Sequence, residues 1–178
     1  MSGHSHWAGI KHKKEEKDSK RGAVFSKLLN AISVAAKPEP NPDFNPRLRT
    51  AIEKAREANI PHNNIQKAIK GAVEKSMNLE ELVFEAYGPG GAAILIIAIT
   101  GSHNKTVAEI KKVLSANHGK WAEPGSVRWA FSEILPGKDP EAKFTEDIAP
   151  EEKSGLLALI RALHDHEDVQ GVYTNLAV

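Results

Sequence analysis

The chain has no cysteine among its 178 residues. Disulfides, thiolate metal sites and cysteine nucleophiles are therefore excluded, and a reducing compartment fits. Aromatic residues make up only 6%, so each one is worth locating. The longest apolar run, Ala92 to Ile99, is far too short to span a bilayer. No charged, apolar and small-residue leader pattern opens the chain, so the expectation is a cytoplasmic protein with no membrane partner. Catalytic constellations are also missing. There is no GxSxG, HExxH or paired-carboxylate pattern, and Ser126 and Ser154 have no evident base. The expectation is a non-enzyme with no cofactor and no metal.

What is present is a strong charge asymmetry. The net charge of +1 conceals a first stretch, residues 1–76, at +7 and a remainder at −6. The basic excess starts in Gly3 to Leu29, which holds Lys11, Lys13, Lys14, Lys17, Lys20, Arg21 and Lys27 against three acids. It opens with glycine, histidine and serine around Trp7, and reads as a flexible cationic arm. Such an arm suits a polyanion, whose counterions are released on contact; a solvated tail is the plainer alternative. Trp7 can stack on an unpaired base or close back onto a helical core. The acidic remainder is expected to pack, dimerise or meet a protein.

Gly22 to Ala36 carries a stripe of Phe25, Leu28, Leu29, Ile32 and Ala36, which predicts a helix. The charged residues before it have no breaker and can extend it. The four prolines of KPEPNPDFNP predict an extended loop. Pro46 to Ala58 forms a second helix with Leu48, Ile52 and Ala55 inward. Asn63 or Asn64 caps a third, with Ile65, Ala68, Ile69, Ala72 and Val73 as its stripe. Three short amphipathic helices imply a small bundle.

Beyond about Ser76 the pattern changes. Val83 to Tyr87 and Ala92 to Ile99 predict two strands joined by Gly88-Pro89-Gly90-Gly91 as a hairpin, the second strand buried on both faces. Thr106 and Glu109 suggest a capping box for a helix ending near Gly119. Val127, Trp129 and Phe131 alternate as in a strand, with Trp121 and Trp129 as packing residues. Lys143 to Ile148 reads as a short strand. Pro150 opens a helix with Leu156, Leu157, Ile160 and Leu163 inward, and Gly171 to Val178 closes as a strand. The fold class is α+β: an N-terminal three-helix domain, residues 1–77, followed by an α+β sandwich domain, residues 78–178, with a mixed or antiparallel sheet and helices on one face.

Two histidine groups invite a metal reading. His4, His6 and His12 fit no ligand spacing and are expected to touch phosphate or water. His164 and His166 lie two residues apart at a helix end, pointing to different faces, and read as a solvated loop. Gly88–Gly91 lacks the Lys-Ser/Thr of a phosphate loop and leads into a strand rather than a helix. It is a tight hairpin that could insert into a narrow partner site as a second contact.

Several motifs taken together resemble one family. Gly3-His4-Ser5-His6-Trp7-Ala8-Gly9-Ile10-Lys11-His12-Lys13-Lys14 is similar to the opening GHSKWANIKHRK of the YebC-type proteins. The likeness continues through Asp18 to Gly22, Asn45 to Arg49, Ala58 to Pro61, Tyr87 to Gly91, Asn104 to Val107, Gly125 to Val127 and Asp168 to Tyr173. His6 and Gly9 replace the usual lysine and asparagine. That family has a ferredoxin-like third domain inserted in its second; here it looks absent near 135–143. The resemblance implies a cytoplasmic, non-enzymatic nucleic-acid-binding regulator of gene expression, a probable transcriptional regulatory protein binding DNA. An alternative within the family is a ribosome or ribosomal-RNA partner assisting translation of difficult sequences such as proline runs. A reading of another class is a protein-interaction adaptor. The expected contacts are Trp7, Lys11, His12, Lys13, Lys14, Lys17, Lys20, Arg21, Lys27, Arg47 and Arg49, with Gly88, Pro89, Gly90 and Gly91 as a second loop. Neither a helix-turn-helix turn nor an RNA-binding signature is evident.

Overall fold

The computed structural model describes residues 4–74, 78–135 and 138–176, with residues 4–18 described by backbone alone. Three helices come first: α1 His4–Ala36, α2 Pro46–Glu57 and α3 His62–Val73. The order is then β1 Glu80–Tyr87, β2 Ala93–Thr100, α4 His103–Ala116, β3 Lys120–Ala122, α5 Pro150–His164 and β4 Val169–Thr174. This is an α+β fold.

The arm read as flexible is helical from His4 onward, so α1 runs unbroken for 33 residues, about 50 Å at 1.5 Å per residue. No proline interrupts it, and Gly9 and Gly22 each cost only about 1 kcal/mol relative to alanine. Its packing begins at Phe25, where the stripe Phe25, Leu28, Leu29 and Ile32 meets Leu48, Ile52 and Ile65. Alanines 35, 36, 55, 68 and 72 in the same core let the helices approach closely. Ser33 Oγ donates to the Ala68 carbonyl at 3.1 Å, pinning α1 to α3.

Asn45 closes the proline loop. Its Oδ1 accepts from Leu48 N at 2.9 Å and caps α2. Its Nδ2 donates to the carbonyls of Ala35 at 2.7 Å and Glu39 at 2.6 Å. One buried amide thus joins the end of α1, the loop and the start of α2. The third helix starts at His62 with Pro61 in the cap position. The expected Asn63 or Asn64 cap is displaced because proline, lacking an N–H, suits a helix's first positions.

The sheet is antiparallel with order β3-β1-β2-β4. Strand β2 is central, and side-chain alternation divides it between two cores. Ile94, Ile96 and Ala98 join Phe84, Ile110, Leu114, Leu156, Leu159 and Leu163 beneath α4 and α5. Ala93 and Leu95 join Val127, Ala130 and Phe131 on the opposite face.

Several local expectations change. Helix α4 opens a turn before Thr106, after Ser102. Thr106 Oγ1 instead bonds the Ser102 carbonyl at 3.1 Å and the Asp168 carboxylate at 2.6 Å. The left-handed residue ending α4 is His118, with φ 59°, rather than Gly119. Residues 127–131 form no strand: Arg128–Ala130 is a 3-10 turn. Its cause is Glu85 on β1, whose carboxylate gathers the N–H groups of Gly125, Val127 and Arg128 at 2.7, 2.7 and 3.0 Å. Trp129 is consequently 62% exposed, not a packing residue, and stacks on Phe144 at 5.4 Å between ring centroids. Residues 143–148 likewise form no strand; single bridges pair Phe131 with Ala142 and Glu146 with Leu176. On α5, Leu159 is buried and Leu157 exposed.

Candidate nucleic-acid interface

Of the expected contacts, Trp7, Lys11, His12, Lys13, Lys14 and Lys17 lie on the helical backbone of α1, with side chains outside the described residues. Residues 19–24 are exposed, Lys20 and Arg21 among them, and Arg21 sits over the Phe25 ring at 5.2 Å. The next cation turns inward. Lys27 Nζ donates to the His164 carbonyl at 2.6 Å, at the last turn of α5. A cation there is favoured by the helix dipole. Burial pushes the Lys27 pKa down, and Asp165 and Asp168 oppose that shift.

The arginines of α2 also have internal partners. Arg47 pairs with Glu81 on β1. Arg49 Nη1 donates to the carbonyls of Pro42 at 2.7 Å and Asp43 at 3.0 Å, while the residue stays exposed. Lys27 ties α1 to α5, while Arg47 on Glu81 and Lys37 on the Leu79 carbonyl tie the helical segment to β1 and the residue before it.

The glycine-rich turn folds against α5. Pro89–Gly91 is a single 3-10 turn, and Gly88 lies so close to Leu156 that a Cβ would sit 2.6 Å from its Cδ1. At Gly90, φ is 72°, and an added Cβ would lie 2.9 Å from Ile148 Cγ2 and 3.1 Å from Glu152 Oε2. Gly90 and Gly91 are exposed, with an acid beside them.

The 164–168 segment is solvated only in part: His164, Asp165 and Glu167 are exposed, while His166 and Asp168 are half-buried. His166 is brought against Glu109 of α4, its Nε2 2.9 Å from Oε2, with only 9% of its side chain exposed. Glu109, His166 and Asp168 hold three potential ligand atoms within 4.8 Å of one another. Those atoms are already engaged. Asp168 N–H donates to His166 Nδ1 at 3.1 Å, so Nε2 carries the ring proton and donates to Glu109. Lys105, 2.8 Å from Glu167 and 3.9 Å from Glu109, adds positive charge. The group is a hydrogen-bonded latch between α4 and the turn into β4.

Between the helices and the outer face of the sheet lies a half-open cleft of about 270 Å³. Leu28 and Ala31 of α1 face Ile97 and Ile99 of β2 across it, and Ile134 closes one side. Arg47, Lys54, Glu81, Lys138 and Asp139 bring charge to it, and Gln170 and Tyr173 line it from β4. Tyr173 donates to Asp139 Oδ1 at 2.8 Å; burial and then that carboxylate push its pKa far up. Sequence reasoning found no site here, because the lining comes from six separated stretches of chain.

Comparison with known proteins decides the family. The model of the TACO1/YebC protein N-terminal domain matches residues 5–75, and that of the TACO1/YebC second and third domain matches residues 79–134. The chain belongs to the TACO1/YebC family. A probable transcriptional regulatory protein of Solibacter usitatus is 35% identical over 238 positions, covering 100% of this chain and 96% of the relative. Since this chain has 178 residues, part of that relative has no counterpart here. One from Fervidobacterium nodosum is 49% identical over 135 residues, 74% of this chain and 53% of the relative. With several such relatives, the chain spans about half their length. Among solved structures, the conserved hypothetical protein Aq1575 from Aquifex aeolicus matches with a TM-score of 0.82 at 31% identity, over 97% of both chains.

Proposed function

We propose that this TACO1/YebC-family chain is a cytoplasmic, non-enzymatic regulator of gene expression that binds nucleic acid. Residues 1–77 serve as a basic helical domain and residues 78–178 as an acidic α+β domain, with the family's inserted domain absent near 135–143. The observation that carries this reading is the placement of the basic excess on one long helix. Lys11, Lys13, Lys14, Lys17, Lys20 and Arg21 precede the part of α1 that packs at Phe25. Phosphates neutralised along such a segment release counterions. With Lys27 and Arg47 tied internally, the contact set centres on residues 7–21.

The names of the relatives, probable transcriptional regulatory proteins, favour DNA. A specific observation favours structured RNA, including that of the ribosome. Helices α1 and α2 are separated by the loop 37–45, instead of the short turn that sets a recognition helix in a major groove. Shape and phosphate contact remain, which is how proteins hold folded RNA.

The test is binding to a DNA duplex and to ribosomal RNA across a salt series, for the natural chain and for Lys13→Glu/Lys14→Glu/Lys20→Glu. The triple variant should bind more weakly and lower the logarithmic salt slope by about 0.7–0.9 for each phosphate contact removed. Unchanged affinity and slope would overturn the proposal.

A further inference from the structure

The cleft between the helices and the sheet has the composition of a small-molecule site. It is open on one side, apolar at Leu28, Ala31, Ile97 and Ile99, and charged at Lys54 and Lys138. Its volume of about 270 Å³ is near the lower end of ligand pockets, about 300–1,000 Å³. It can admit one flat heterocycle with its sugar, and not a duplex.

Three features narrow the ligand. First, the cations Arg47, Lys54 and Lys138 outnumber the acids Glu81 and Asp139 at the cleft, and Glu81 is paired with Arg47. Lys54 and Lys138 make no side-chain hydrogen bond or ion pair among the described residues. The excess charge offered to a ligand is therefore positive. Second, the isoleucine wall disfavours a bare inorganic anion, because an ion there would lose hydration without compensation. Third, Gln170 carries a buried Nε2 with no hydrogen-bond partner. That covered donor is costly where it stands; a turn about the broad terminal torsion exchanges it with Oε1, and a ligand acceptor in the cleft would satisfy it there. Apolar faces, an edge acceptor and an anionic substituent together describe a nucleotide.

We propose that this cleft receives a single unstacked nucleotide of the bound strand. The base lies against Ile97 and Ile99 with its edge on the Gln170 amide, and the phosphate meets Lys54 and Lys138. This rests on the reading of the chain as nucleic-acid-binding. It adds a base-holding site on the sheet side to the phosphate contacts of α1, so that binding depends on an unpaired base as well as on charge. The cleft joins α1 and α2 to β2 and β4, so an occupant also bridges the helices and the sheet.

Two measurements on the full chain test it. In the first, isoleucine methyl NMR follows a titration with the four nucleoside 5′-monophosphates. Saturable shifts at Ile97 and Ile99 are expected, and their absence would overturn the proposal. In the second, a single-stranded oligonucleotide and its abasic counterpart are bound to the natural chain, to Gln170→Leu and to Lys54→Glu/Lys138→Glu. Because Gln170 Nε2 has no partner, Gln170→Leu removes no hydrogen bond made by that atom. Ala31→Leu, which narrows the cleft from α1, is a second variant. Gln170→Leu should weaken the base-bearing strand about tenfold, the worth of roughly one good hydrogen bond, and leave the abasic strand unchanged. The lysine pair should weaken both. Equal binding of both strands by every variant would overturn the cleft while leaving nucleic-acid binding by α1 intact. No binding of either strand by the natural chain would overturn both readings.

Discussion

Replacing Glu85 by glutamine should destabilise the protein by more than its conservative chemistry suggests. The residue is 5% exposed, and its two oxygens receive three backbone N–H groups, from Gly125, Val127 and Arg128. Burial alone would raise its pKa; those three donors and the Arg128 charge outweigh it and hold the carboxyl below its ordinary value. In Glu85→Gln one oxygen remains for Val127 and Arg128, and the new NH₂ group faces the Gly125 N–H. A buried donor left unpaired costs about 1–3 kcal/mol, and the remaining bonds lose their charge assistance. The total is about 2–4 kcal/mol, a large fraction of a typical 5–15 kcal/mol stability. Urea unfolding at pH 7 reads the difference, and amide exchange at Gly125 and Val127 should accelerate first. The pH dependence has a definite sign. A depressed folded pKa gives stability that is present above the unfolded carboxyl value and is lost as pH falls through the folded value. The gap between natural chain and variant should therefore narrow in acid. A gap below about 0.5 kcal/mol at pH 7, or one that widens in acid, would refute the role given to Glu85.

Other substitutions probe the remaining keystones. Asn45→Asp keeps the acceptor that caps α2 but removes both donors to the Ala35 and Glu39 carbonyls; a loss of about 2–4 kcal/mol is expected by thermal or urea unfolding, and a neutral result would contradict the assignment. Gly90→Ala places a Cβ at positive φ against Ile148, so a loss of about 1–2 kcal/mol should appear in the same assay, whereas Gly22→Ala, with open space around it, should be neutral or stabilising. Trp129→Ala removes an exposed ring stacked on Phe144; it should cost about 1 kcal/mol, far less than the 3–5 kcal/mol of a buried tryptophan, and a core-sized loss would show that the ring is covered in solution.

The legible parts of the fold were those with strong local patterns. The stripe from Phe25 to Ala36 gave the C-terminal end of α1, and Leu48 and Ile52 gave α2 at both ends, because three- and four-residue spacing is read along one segment; the N-terminal half of α1 has no apolar stripe to read. The run Ala92 to Ile99 marked the central strand, since a strand buried on both faces needs no alternation. Residues 127–131 misled because their alternation was real in composition, yet a carboxylate more than forty positions back on β1 turned the chain. The short strand Lys120–Ala122 offers too few residues to carry a period. Among candidate contacts, the segregation of Lys11 to Arg21 was visible as charge alone. The inward turns of Lys27 and Arg47 were not, because their partners, His164 and Glu81, are assigned only by the fold. The cleft lay beyond reach for the same reason: Lys54, Lys138 and Gln170 have no shared local pattern.

The most direct test of nucleic-acid binding is ultraviolet crosslinking in cells, gentle purification, sequencing of bound RNA and bound DNA, and mapping of the crosslinked peptides. Nucleic acid well above an untagged control, attached to peptides from residues 7–21, is the expected result. Reads focused on ribosomal RNA positions would select the RNA reading, and promoter fragments the DNA reading. A sample with no nucleic acid above the control, or with crosslinks confined to the acidic residues 78–178 outside the cleft, would contradict the central claim and favour a protein-binding adaptor.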